Sequence, residues 1–204
     1  KIVSNELYKN SGNSGNKLKC VQVYAGATFT LERGTVENSN TASEASSVIN
    51  NYGTVNIEGG TVKGVSCISN FASVLGNNSW DGKKATCNIN GGLIEGTECK
   101  SYINNKGTWT AVDEGKGWSW GVALFGPGFG EDGTDEVSYD EVTLNMNGGT
   151  IQAGQGIGTN ASSGRYAGNT ITINGGTIEG MGDGGAAMYL PAIGKTTING
   201  GTIK

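Results

Sequence analysis

Apolar and polar residues alternate in six short segments of the chain, and each segment continues through the same kind of turn. The shared pattern is apolar, polar, apolar, polar, then Gly-Gly, then Thr and an aliphatic residue. Alternation with a period of two predicts a β-strand with one buried face. A glycine pair permits the positive φ values that a sharp corner needs. The segments are Phe29–Val36, Val55–Val62, Cys87–Ile94, Leu144–Ile151, Ile171–Ile178 and Thr196–Ile203.

The spacing of these segments predicts stacked coils. Their corners begin at positions 33, 59, 91, 148, 175 and 200, and the long gap before 148 indicates a further coil. Residues 102–109 resemble residues 48–55, so we place that coil there and expect about seven coils in total. One coil cannot bury its own apolar face, whereas coils stacked about 4.8 Å apart can. The sequence therefore predicts an all-β fold, a parallel β-helix (β-solenoid) forming one domain over residues 1–204.

Stacking predicts columns of like residues. The first inward column is Leu31, Ile57, Ile89, Met146, Ile173 and Ile198. The second is Val36, Val62, Ile94, Ile151, Ile178 and Ile203. A ladder of amides that hydrogen-bond from coil to coil is expected at Asn90, Asn147, Asn174 and Asn199.

Composition excludes several functions. The chain has no histidine, which removes the commonest general base and metal ligand, and only two arginines, Arg33 and Arg165. A net charge of −4 without a basic pattern argues against a nucleic-acid partner. No apolar run of about 18 residues exists, so no membrane span is predicted. Because the chain starts at Lys1 without Met or a signal peptide, we expect a processed form or a fragment.

The motif Ile-Asn-Gly-Gly-Thr-Ile, preceded by Ile-x-Asn-x-Gly-Thr, resembles the repeats of right-handed parallel β-helix (pectin-lyase-like) proteins. These are secreted and cell-surface proteins of gut clostridia and related Firmicutes. The resemblance covers nearly all of the chain outside 110–141 and implies a right-handed solenoid. The wider family includes polysaccharide lyases, glycosidases, phage tailspikes and adhesins. Since the motif residues are structural, the resemblance says little about function.

Aligning the corners places Cys67 and Cys99 in one column on adjacent coils. A separation of about one coil rise lies within the range that a disulfide accepts, and this predicts a Cys67–Cys99 bond. A disulfide would fit an extracellular setting. Cys87 is expected to be a buried apolar residue between Val55 and Leu144.

Residues 107–141 interrupt the repeat and are predicted to form a long loop with eight carboxylates and one lysine. Long excursions from a regular scaffold often carry function. Aromatic faces stack on sugars and carboxylates accept hydroxyl hydrogen bonds, so one interpretation is a glycan- or partner-binding loop. The alternatives are a lid that packs on the solenoid and, less specifically, a catalytic site. The candidate binding residues are Trp109, Asp113, Glu114, Trp118, Trp120, Phe125, Phe129 and Tyr139.

No cofactor is expected. Calcium is considered for the cluster Asp132, Asp135, Glu136 and Asp140, but the spacing of an EF-hand is absent. A β-helical lyase or glycosidase needs carboxylates on neighbouring coils and basic residues for an acidic polymer. Glu58, Glu95 and Glu179 look scattered instead. An ice-binding face needs two parallel threonine ranks, and the single rank found is broken by Leu93.

The ends of the solenoid suggest self-association. Thr202–Lys204 leaves an open strand edge, which is a template for another chain. Reading Lys204 into Lys1–Asn5 gives a segment similar to residues 61–66, and residues 1–19 are expected to be irregular, a cap or an inter-subunit contact. We therefore expect a non-catalytic extracellular structural or adhesive solenoid that stacks head-to-tail into a surface fibre. The alternatives are a carbohydrate-active β-helix enzyme and a fragment of a larger adhesin or tailspike.

Overall fold

A computed structural model describes residues 1–4, 19–39, 47–71, 84–98, 101–103, 109–111, 119–125, 142–160, 169–182, 185–191 and 194–204. These residues form 21 strands and no helix, so none of them lies in a helix long and apolar enough to cross a membrane.

The first ten strands are β1 (Ile2–Ser4), β2 (Val21–Val23), β3 (Thr28–Leu31), β4 (Thr35–Asn38), β5 (Ser47–Asn51), β6 (Thr54–Ile57), β7 (Thr61–Gly64), β8 (Ser66–Phe71), β9 (Ala85–Ile89) and β10 (Leu93–Gly96). The others are β11 (Ser101–Ile103), β12 (Trp109–Ala111), β13 (Trp120–Phe125), β14 (Val142–Met146), β15 (Thr150–Ala153), β16 (Gln155–Asn160), β17 (Asn169–Ile173), β18 (Thr177–Gly180), β19 (Ala186–Tyr189), β20 (Gly194–Ile198) and β21 (Thr202–Ile203).

Three parallel sheets wind around one core. Sheet B contains β2, β5, β8, β13, β16 and β19; sheet C contains β3, β6, β9, β14, β17 and β20; sheet A contains β1, β4, β7, β10, β15, β18 and β21. The chain passes from sheet B to sheet C and then, through the glycine corner, to sheet A. One strand of each sheet makes a coil, and the described residues form six coils plus β1. We number them coil 1 (β2–β4), coil 2 (β5–β7), coil 3 (β8–β10), coil 4 (β13–β15), coil 5 (β16–β18) and coil 6 (β19–β21). The predicted β-solenoid is confirmed.

The predicted columns have the expected register. In sheet C, Leu31 pairs with Ile57, and the column continues through Ile89, Met146 and Ile173 to Ile198. In sheet A, the column from Val36 reaches Ile203 through the predicted residues. Within coils 2 to 5 the side chains of both columns are fully buried or nearly so. The apolar columns therefore form the core that holds the coils together.

The number of coils differs from the prediction, because the coil placed at residues 102–109 is wrong. The strands β11 and β12 pair with each other in an antiparallel hairpin and join none of the three sheets. Coil 4 takes its first strand from the segment predicted to be a loop. There, β13 lies between β8 and β16 in sheet B, and Val122 and Leu124 are fully buried.

The corners of coils 2 to 6 are tight because both of their glycines lie against the backbone of the coil before them. The second glycine has a positive φ, 76° in both Gly60 and Gly149. The first glycine lies against a carbonyl: a β-carbon on Gly148 would come 2.5 Å from the oxygen of Asn90. Backbone amides after the corner donate to the preceding coil, as in Thr150 N–H to Gly92 O at 2.9 Å.

Candidate functional site at the ends of the solenoid

The predicted binding loop is only partly covered by the described residues. Trp109 lies in β12 and Phe125 in β13, but their side chains are outside the described part. Trp120, also in β13, is half-buried, and its ring covers the α-carbon of Gly158 on the next coil. This contact matches the packing alternative for Trp120. The remaining candidates lie outside the described residues: Asp113, Glu114, Trp118, Phe129 and Tyr139.

The calcium cluster predicted at Asp132, Asp135, Glu136 and Asp140 also lies outside the described residues. Elsewhere in the described part of the chain, no group of three or more metal-ligating side chains is found.

The stacking argument for the Cys67–Cys99 disulfide is wrong. Sheet B pairs β8 with β13, so Gly121 and not Cys99 stacks on Cys67. Cys67 is fully buried, and its Sγ lies 3.1 Å from the carbonyl oxygen of Glu95. Since Cys99 lies outside the described residues, the bond itself stays a prediction. Cys87 is fully buried between Val55 and Leu144, as expected.

A rank of alternating charges follows the aliphatic column on the outer face of sheet A, where the sequence suggested scattered glutamates. Lys63 lies 3.0 Å from Glu95, and Gln152 donates to Glu179 at 3.3 Å. Lys204 is 3.4 Å from Glu179 and ends the rank at coil 6. Both Glu95 and Glu179 therefore have partners from neighbouring coils.

Apolar side chains are exposed mainly at the two ends of the solenoid. Of the seven large hydrophobic residues exposed among the described residues, only Met181 lies outside β1, coil 1 and coil 6. Ile198 and Ile203, which end the two core columns, are 53% and 40% exposed, whereas Ile173 and Ile178 one coil below are 1% and 0% exposed. The other four are Ile2, Tyr24, Tyr189 and Leu190. No described residue covers the two apolar columns at coil 6.

The backbone at coil 6 is also oriented for another coil. Asn199 N–H donates to Ile173 O at 2.7 Å and Thr202 N–H donates to Gly176 O at 2.9 Å. Each corner repeats these bonds to the coil before it. By the same pattern, the carbonyls of Ile198 and Gly201 face away from coil 5, as acceptors for amides of a further coil.

Coil 1 is organised differently, because β1 lies on its sheet A edge. Ile2 pairs with Val36 and so extends the column that ends at Ile203. Lys1 forms an ion pair of 2.8 Å with Glu37. Residues 5–18 are outside the described part, so of the segment expected to be irregular only this strand and Lys19 are seen.

The edge of sheet C at coil 1 has no such strand among the described residues. Beside β1, a groove of about 400 Å³ runs along β3 and the first corner. Lys1, Ile2 and residues 29–36 line it, including the apolar Phe29 and Leu31.

The first corner departs from the other five at one position. Arg33 stands where coils 2 to 6 have the first corner glycine. At those five glycines a β-carbon would lie 2.5 to 2.7 Å from a carbonyl oxygen of the preceding coil. Arg33 is tolerated because the described residues place no coil beneath it. The substitution is visible in the sequence, but its meaning needs the stacking geometry.

Three comparisons with known proteins add no relative. No family model matches the chain, and neither the curated proteins nor the solved structures contain a match. The resemblance to β-helix repeats therefore holds for the solenoid fold, and the pectin-lyase-like or clostridial family has no further support.

Proposed function

We propose that the chain is a non-catalytic structural rod of the cell exterior that joins end to end with further copies of itself. The observation that carries this proposal is the exposure of the two apolar columns at coil 6, which in the register of the solenoid would continue into those of coil 1 of a second copy. The two ends are different surfaces of the same molecule. Their contact is therefore heterologous and generates an open filament.

The apolar columns match across this contact. Continuing the register of sheets A and C places Ile198 against Leu31 and Ile203 against Val36, as Ile173 and Ile178 lie against Ile198 and Ile203. Full burial of an aliphatic side chain contributes about 1.5 to 3 kcal/mol. Ile198 and Ile203 are about half exposed, so each would contribute roughly half of that on docking.

The backbone donors and acceptors match as well. In the corners within the chain, the amides of Glu58 and Thr61 donate to Leu31 O and Gly34 O of coil 1. Glu32 and Thr35 hold the equivalent positions in coil 1. By the same pattern their amides would point away from coil 2, toward coil 6 of the copy docked beneath. They would donate to the carbonyls of Ile198 and Gly201, so the contact has one polarity.

Charge favours the same register. In the outward rank of sheet A, Lys204 would face Glu37 of the second copy. Lys63 already faces Glu37 and Glu95 in this rank. Exposed ion pairs contribute little to affinity, about 0 to 1 kcal/mol, but they fix register and disfavour the reverse orientation.

Negative-stain electron microscopy and sedimentation velocity of the concentrated 204-residue chain test the proposal. We expect rods of many copies in the native chain and single short rods in an Ile203→Asp variant, whose carboxylate would be buried at the contact. Ile203→Val, which keeps the apolar column, is the matched control and should assemble. Circular dichroism checks that both variants fold, because Ile203 is only partly exposed in one copy and packs on Ile178.

Two outcomes would contradict end-to-end joining. One is that neither the native chain nor a variant with glycine at the first corner, Arg33→Gly, forms longer rods at any concentration. The other is assembly that Ile203→Asp leaves unchanged, which would place the contact elsewhere. Location outside the cell rests on the likeness of the repeat to secreted proteins, and antibody labelling of intact source cells checks it.

A further inference from the structure

We infer that coil 1 is a latched end: β1 and Arg33 occupy places that the last coil of a second copy would take. For two copies to join, β1 must then leave sheet A, and the corner at Arg33-Gly34 must shift to make room for the last corner of the second copy. This inference rests on the proposed end-to-end contact and concerns its control.

The strand β1 imitates the incoming strand β21. Ile2 fills the position on Val36 that Ile203 of a second copy would fill, and Lys1 pairs with Glu37 as Lys204 would. Both segments place an aliphatic residue and a lysine on the same part of coil 1. They cannot occupy it together, so β1 competes with the second copy.

The described contacts of β1 are few, so β21 of a second copy could replace it at low cost. The strand β1 pairs with β4 over three residues, and β21, which would replace it, pairs with β18 over two. The exchange is therefore favoured by β20, which pairs with β17 over five residues and would dock beside it. Ile2 is 49% exposed and the Lys1 side chain is 61% exposed. No other described residue pairs with the β3 edge beside this groove, so β20 of a second copy can dock there before β21 replaces β1.

Arg33 opposes docking through its β-carbon. In the register of the chain itself, the first corner residue lies over the carbonyl of the residue before the preceding corner, as Gly200 lies over Asn174 O at 2.7 Å from an ideal β-carbon. For a docked copy that carbonyl belongs to Asn199. A β-carbon at this distance from backbone forces the two corners apart, so Arg33 weakens the contact where glycine would close it.

Three variants separate the two parts of the latch. Arg33→Gly removes the β-carbon, Arg33→Ala keeps it while removing the charge, and Ile2→Asp loosens β1 without touching the corner. The measurement is the protein concentration at which filaments appear, by light scattering and electron microscopy. We expect a decrease of about tenfold or more for Arg33→Gly and for Ile2→Asp, corresponding to about 1.4 kcal/mol, and no decrease for Arg33→Ala.

The outcomes distinguish this inference from the proposed function. Filaments that form equally in the native chain and in all three variants overturn the latch and leave end-to-end joining intact. An equal decrease in Arg33→Ala and Arg33→Gly overturns the role of the β-carbon. If neither the native chain nor Arg33→Gly or Ile2→Asp forms filaments, joining itself fails and the latch fails with it. Circular dichroism and the unfolding midpoint of each variant control for misfolding.

Discussion

At the scale of single residues, the two glycines of each corner are needed for different reasons. The second has a φ that disfavours other residues, and the first approaches the backbone of the coil before it. Coil 1 shows that these needs are separable. Gly34 keeps a φ of 91°, but a β-carbon there would meet nothing within 4 Å. Arg33 occupies the other position because the described residues bring no carbonyl near it.

This separation gives a matched pair of substitutions. Gly34→Ala adds only left-handed backbone strain, about 1 to 2 kcal/mol. Gly149→Ala, with a φ of 76°, adds the same strain and also a β-carbon 2.7 Å from Gly91 O. We expect Gly149→Ala to lower the free energy of unfolding by at least about 3 kcal/mol, in the range of severe substitutions. Urea unfolding of both variants measures this, and equal losses would contradict the role of the preceding coil.

At the scale of strands, the burial pattern differs between sheet C and sheet B, and this difference decides which strands the sequence alone can predict. Strands of sheet C alternate buried and half-buried residues, as in β14 and β17, so the period of two finds them with the correct register. In β13 of sheet B, four consecutive residues from Gly121 to Leu124 are buried. No alternation marks such a strand, so the sequence places β13 in the loop. The expected number of coils is too high for another reason, the extra coil placed at residues 102–109.

The same limit applies to the candidate sites. The strand at Thr202–Ile203 could be predicted because the repeated motif identifies the residues after the glycine pair as a strand. The roles of β1 and Arg33 could not, since they depend on which strand lies beneath coil 1. Alignment of corners also chose the wrong partner position for Cys67, because β13 is the strand that follows β8 in sheet B.

Two amide ladders bind the coils along sheet C and its corner. The predicted ladder has Asn147 donating to Asn90, Asn174 to Asn147 and Asn199 to Asn174, each at 2.8 Å. A second ladder, which the sequence did not reveal, has Asn145 donating to Asn88 and Asn88 to Asn56, each at 2.9 Å. Each side-chain amide hydrogen-bonds to the amide on the next coil, so the ladders hold neighbouring coils in register.

The position of an asparagine in the first ladder should decide its effect on stability. Asn147→Ala removes two ladder bonds, to Asn90 and Asn174, and Asn199→Ala removes one. A typical hydrogen bond contributes about 0.5 to 1.5 kcal/mol. We expect Asn147→Ala to lower the free energy of unfolding by about 1 to 3 kcal/mol, and Asn199→Ala by about half as much. Chemical denaturation decides, and a larger effect at Asn199 would argue against the ladder.

At the scale of the whole molecule, the solenoid has unequal ends. Stacked repeats need end coils that keep their columns from uncontrolled pairing. Among the described residues, coil 1 carries β1, the ion pair of Lys1 with Glu37 and Arg33 at its corner, whereas coil 6 exposes Ile198 and Ile203 beside a regular Gly200-Gly201 corner. In the proposed filament every contact would join a coil 6 to a coil 1, so growth at either end of the rod would require β1 of one copy to leave sheet A.

Burial also couples the stability of the whole solenoid to alkaline pH. Burial raises the pKa of the Cys67 and Cys87 thiols from 9.0 to about 12. Burial, and then the nearby Tyr24, raise the pKa of Tyr52 from 10.0 to about 12. These groups are neutral when protonated, so the unfolded chain loses their protons first as pH rises. Their contribution to stability is complete below pH 9 and is lost progressively toward pH 12.

Unfolding midpoints in urea between pH 8 and pH 12 measure this loss. The native chain should become less stable with each step above pH 9, and the slope should be smaller in Cys87→Ala and Tyr52→Phe, each of which removes one titrating group. Burial lowers the pKa of Lys19, which acts with the opposite sign, so slopes of variants are compared with the native slope rather than with zero. Cys87→Ala also leaves a small cavity, which lowers stability equally at every pH and leaves the slope unaffected. The slope of stability against pH reports the protons that the folded chain retains and the unfolded chain has lost. If both variants keep the native slope, the loss of stability at alkaline pH does not come from these buried groups.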